Sequence, residues 1–102
     1  MKRLARGINH NTHPGEIFSN QIIKFNNLTI ERTANLLGVK QYTLSKIVNG
    51  KSPINPMMAI RISKVFGGSA SFWTKLQSTY YLREAEKEFE IKQIKLNKFK
   101  HI

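Results

Sequence analysis

The sequence predicts an all-α domain of about five helices, the last of them extended. Three observations carry that expectation. Apolar residues recur three and four apart through most of the chain, the spacing of a helix with one buried face. No stretch alternates at period two for long enough to read as a strand. A capping or turn residue bounds each apolar stripe.

Residues 1–13 show no apolar period and close with Asn9-His10-Asn11-Thr12-His13, which reads as a flexible arm. Pro14 suits a first helical turn, where its missing N–H costs nothing. Phe18, Ile22 and Phe25 then fall on one stripe at i, i+4, i+7, and Asn26-Asn27 ends that helix. Thr29 caps a second helix whose buried face is Ile30, Ala34 and Leu37, and Gly38 stops it. A third helix begins near Gln41, turns Leu44, Ile47 and Val48 inward, and closes at Asn49-Gly50. Asn55 and Pro56 open a fourth, with Met58, Ala59, Ile62 and Phe66 on its core side, and Gly67-Gly68 ends it. Ser69 or Ser71 caps the last. Phe66, Phe72 and Trp73 read as core, and the apolar pattern runs on through Phe89 to about residue 94. Residues 14–94 are then one helical body, and 95–102 a basic tail.

Composition narrows the function. The 102 residues contain no cysteine, so disulfides, Cys-containing zinc sites and thiol catalysis are excluded. No apolar run approaches the roughly 20 residues of a membrane span. The basic start has no apolar stretch behind it and does not read as a secretory signal, so a cytoplasmic location is expected. His10 and His13 have a spacing a metal could use, but no nearby cysteine or acid completes a site, and neither metal nor cofactor is expected. Paired carboxylates, a glycine-rich phosphate loop and a Ser/His/Asp set are all missing from the pattern, so no enzyme is expected. Seventeen basic residues against six acidic give a net charge of +11. Residues 1–82 hold eleven bases and only Glu16 and Glu31 as acids. A body charged so nearly with one sign attracts polyanions.

The most informative stretch is Ile30–Val48. Two short helices joined by a tight turn cross steeply, so the first needs a small residue at the crossing, and Ala34 supplies it. Glycine is needed in the turn, and Gly38 lies four residues on. Leu44, ten residues after Ala34, and Ile47 lock the second helix onto the first, with Val39 at the corner. That spacing is a helix-turn-helix over residues 29–49.

With these residues in place, the chain resembles the Xre/Cro-type repressors. More closely it resembles the HigA antitoxin family, also called the virulence-associated protein I family. The matching pieces are His13-Pro14-Gly15-Glu16-Ile17, Leu36-Leu37-Gly38-Val39, Ser45-Lys46-Ile47-Val48-Asn49-Gly50-Lys51, Ala59-Ile60-Arg61-Ile62 and Ser71-Phe72-Trp73-Thr74-Lys75-Leu76-Gln77. They span about residues 13–83. The resemblance implies a five-helix lambda-repressor-like fold, a homodimer, and operator binding at the protein's own promoter. It also implies a HigB-like partner toxin, a small ribosome-dependent mRNA endonuclease that the antitoxin neutralises. A stand-alone Xre-type repressor is the neighbouring reading. A basic RNA-binding protein or toxin is the distant one.

Helix-turn-helix docking sends the start of the second helix into the major groove, so Gln41, Tyr42, Thr43 and Lys46 are the expected base contacts. Gln41 can pair with adenine through two hydrogen bonds, Lys46 can reach guanine, and Thr43 can touch a thymine methyl. Phosphate contacts are expected from Thr29 at a helix N-terminus and from Lys40 in the turn. The resemblance adds Asn49 and Lys51. Ile30 departs from the family, where a glutamine able to reach DNA is common. Tyr80, Tyr81, Leu82 and Phe89 lie beyond what the other helices need to cover, and read as a dimer interface. A partner toxin of this kind is usually basic, which leaves Glu84, Glu86, Glu88 and Glu90 as the local acidic surface to meet it.

Overall fold

The computed structural model describes residues 11–100. Among these, five helices form and no strand. Helix α1 (Pro14–Phe18) runs directly into a π-helical turn (Ser19–Lys24). Helices α2 (Ile30–Leu37), α3 (Gln41–Val48), α4 (Pro56–Phe66) and α5 (Ala70–Ile91) follow.

The helix starts follow from side-chain caps. Thr29, Asn55 and Ser69 accept from the backbone N–H three residues on, at Arg32, Met58 and Phe72. His13 plays an unexpected part. Its Nδ1 accepts from the Gly15 N–H at 2.8 Å, so the imidazole caps α1. Burial pushes that imidazole below its ordinary pKa, against the opposing pull of the Glu16 carboxylate. Its ring also meets Tyr80 edge-on, with centroids 4.9 Å apart. Asn11 reaches the same helix, donating to the Tyr80 carbonyl and to Glu84. The arm expected over residues 1–13 therefore runs three residues too far: 11–13 are held against α5, and the rest lies outside the described residues.

Phe18 sits at the centre of the core, fully buried, with Trp73 and Phe66 edge-on to its ring. Leu37, Leu44, Ile47, Ile54 and Ile62 close around it. At Gly15 the backbones of α1 and α3 come so close that a Cβ would fall inside the Ile47 carbonyl. Gln77, buried on α5, holds the loop before α4 by accepting from the Ile54 N–H at 2.8 Å.

Two core expectations are corrected. Phe25 points to solvent at 80% exposed, and Ile23 is buried in its place. The cause is the π-helical turn. Its wider winding inserts about one extra residue, so the inward register moves off a 3.6-residue period. Phe72 is half exposed and meets Trp73 edge-on, while Trp73 itself is buried against Phe18. On α5 the buried side chains are Trp73 and Gln77, both in the first half.

Candidate nucleic-acid interface

The site is built on α2, the turn and α3. Ala34 is buried at the crossing and leaves room for the second helix. Gly38 takes the left-handed conformation, φ 72°, that ends α2 and swings the chain round. The Val39 N–H then bonds the Ala34 carbonyl at 3.0 Å. Buried Thr33 donates its hydroxyl to the Thr29 carbonyl at 2.8 Å and tightens the first turn of α2.

The faces of α3 divide cleanly. Leu44 and Ile47 are buried, while Tyr42 stands exposed on the opposite side and Gln41 and Thr43 stand exposed on the flanks at the helix start. Lys46 lies one turn on, partly buried, with its ammonium 5.3 Å from the Tyr42 ring centroid. The cation thus rests over the aromatic face of Tyr42. Lys40 is the N-cap residue of α3 and makes no side-chain capping bond. The first-turn N–H groups are left open, an arrangement that favours anions.

Asn49 is the C-cap of α3, with its Nδ2 3.4 Å from the Ser45 hydroxyl. Lys51 follows, exposed, its N–H bonded to the Lys46 carbonyl at 2.8 Å. Lys40 therefore marks one end of α3, with Asn49 and Lys51 at the other. Thr29 stands apart at the start of α2, its oxygen already accepting from Arg32 N–H. The ion pairs among the described residues are Lys87–Glu84 and Lys92–Glu88, both on α5, so the lysines around α3 carry their charge unneutralised.

Arg61 belongs to this site, although its role is not evident from the pattern of α4. Its guanidinium donates to the carbonyls of Leu37 and Gly38, at the turn itself. One sign is available in the sequence: Arg61 lies between Ile60 and Ile62, one residue from the buried face of α4, in a body that offers it few acids.

The surface expected to pair two copies is only partly free. Tyr80 is partly buried, its ring edge-on to His13 and its backbone carbonyl accepting from Asn11. Tyr81, Leu82 and Phe89 are exposed. No cluster of three His or carboxylate side chains gathers among the described residues, and none of their helices is long and apolar enough to cross a membrane.

The helix-turn-helix family profile matches residues 24–73, the span of this site and its supports. The HTH-type transcriptional regulator YddM of Escherichia coli is 31% identical over 80% of this chain and 86% of its own length. The chain belongs to the Xre-type helix-turn-helix family. That is a family of DNA-binding domains and not of enzymes. Virulence-associated protein I of Dichelobacter nodosus is 33% identical over 74% of this chain and 70% of its own. Among solved structures, the Pseudomonas aeruginosa antitoxin HigA with the higBA promoter superposes with a TM-score of 0.77. It is 32% identical and covers 81% of this chain and 90% of that one.

Proposed function

We propose that this protein is an antitoxin that binds operator DNA as a dimer, represses its own operon and neutralises a small toxin. The observation that carries the reading is the start of α3. An uncapped helix N-terminus, an exposed Gln41-Tyr42-Thr43 turn and the poised Lys46 stand on a base locked by Leu44 and Ile47. Gln41, Tyr42, Thr43 and Lys46 read base edges. Lys40, Asn49, Lys51 and the N-terminus of α2 at Thr29 position the backbone. Residues 14–94 are the DNA-binding and dimerising body, with Tyr80, Tyr81, Leu82 and Phe89 between copies. The tail adds positive charge, and the protein works in the cytoplasm, at the nucleoid. Likeness to an antitoxin that is bound to a promoter supports both halves of the reading.

The test is binding to DNA from upstream of its own gene against scrambled DNA, over a salt series. Non-specific binding collapses as salt rises, because it is driven by counterion release. A preference of roughly a thousandfold or more at physiological salt is the expected result. Equal affinities that fall together would reject the repressor. Co-expression with a toxic neighbouring gene tests the second half: rescue of growth supports the antitoxin, and its failure leaves a stand-alone repressor.

A further inference from the structure

Beyond Glu84 every described residue of α5 and of the segment after it is exposed. Apart from Lys87, charge there is segregated along the chain. Glu84, Glu86, Glu88 and Glu90 come first, and Lys92, Lys95, Lys98 and Lys100 end it. Two of the acids are satisfied: Glu84 by Lys87 and Asn11, and Glu88 by Lys92 at 2.7 Å. Glu86 and Glu90 have no ion pair among the described residues. They stand four apart on one face, where like charges repel.

The same two acids flank an apolar groove. Gln93 takes a left-handed φ of 54° and ends the helix, and the Ile94 N–H turns back to the Phe89 carbonyl. This closure sets Ile94 beside Phe89. Glu86, Phe89, Glu90, Gln93 and Ile94 together line an open groove of about 510 Å³. Residues 95–98 offer the complement. Lys95 and Lys98 have no ion pair among the described residues, and Leu96 between them is 76% exposed.

We infer that the groove of one copy receives residues 95–98 of a second copy, with the exchange made twice about a twofold axis. Leu96 covers Phe89 and Ile94, while Lys95 and Lys98 neutralise Glu86 and Glu90. A segment that is acidic first and basic last sets opposite charges together when it pairs with itself antiparallel, an arrangement that a twofold axis across the segments produces. Parallel copies would set acid on acid. The inference rests on the dimer proposed above and extends it into a segment past Phe89. It also assigns Glu86 and Glu90 to the chain's own lysines, where the sequence alone offers them to a basic toxin.

The experiment is sedimentation of the full chain in four samples: wild type, Glu86→Lys/Glu90→Lys, Lys95→Glu/Lys98→Glu, and the two variants mixed. Each variant alone sets like charge on like and should raise the dimer dissociation constant about tenfold or more. The mixture makes both contacts attractive again and should recover the wild-type dimer, in a salt-sensitive way. All four side chains are exposed, and unchanged circular dichroism confirms that each variant is folded. Variants that dimerise like wild type overturn the exchange and leave the dimer standing. Loss in each variant without recovery in the mixture also overturns it. A wild type that stays monomeric removes the dimer itself.

Discussion

The Arg61 guanidinium donates to the Leu37 carbonyl oxygen at 2.8 Å and to that of Gly38 at 3.3 Å, joining α4 to the turn between α2 and α3. The last carbonyls of a helix have no partner within it, and here a charged donor from another helix serves them. Arg61→Ala should lower unfolding stability by about 1–2 kcal/mol, since both carbonyls lose this donor and the part-buried Leu37 oxygen is the harder of the two for water to serve. Denaturant unfolding measures the loss. Amide exchange at Gly38 and Val39 should speed up more than in the rest of the core.

The displaced register after α1 gives a paired test. Ile23→Ala should cost about 2–4 kcal/mol, the usual range for emptying a buried aliphatic site. Phe25→Ala should stay within about 0.5 kcal/mol, as for an exposed side chain. Urea midpoints of the two variants decide the matter, and the reverse ranking would restore a regular α-helical stripe.

His13 makes stability depend on pH. Its folded pKa is lowered by burial, so the neutral ring is the native form. As pH falls through the ordinary value near 6.5, the unfolded chain takes up a proton that the folded chain resists. Stability therefore drops there and levels off below the folded pKa. His13→Asn keeps an N-cap acceptor and removes the titration. Thermal unfolding of this variant should vary less than that of the wild type between about pH 7.5 and pH 5.

Gln41→Ala should relax sequence choice and leave bulk attraction to DNA in place. The expected loss of discrimination is about 1–3 kcal/mol, with scrambled DNA bound as before. Competition binding at fixed salt reads both quantities. A uniform loss on every sequence would move Gln41 from the bases to the backbone.

Much of this fold is legible in the chain, because its boundaries rest on single-residue chemistry. Thr29, Asn55 and Ser69 cap where such side chains cap, and Gly38 adopts the one conformation for which glycine is favoured. The helix-turn-helix is legible for a related reason: Ala34, Gly38 and Leu44 each meet a local steric demand. What escapes depends on distance or on departure from the regular period. Ile23 cannot be told from Ile22 without the winding of the turn that carries both. Phe72 and Trp73 are neighbours in the chain, and only packing on Phe18 decides which is buried. Arg61 donates to carbonyls at the end of another helix, and the His13 ring meets Tyr80 far along the chain, neither of which the pattern of its own segment displays.

Helix α5 is 22 residues long, yet its buried anchors are Trp73 and Gln77. A short helix in water is marginal when it has nothing to lean on. Opening free energies along α5 should therefore fall from the global value at Trp73 toward zero beyond Glu84. In the free monomer a protease would find its first cut there, and the helices beneath would survive the loss of that end. Lifetime in the cell would then track occupancy: a covered end endures, and an uncovered one is trimmed.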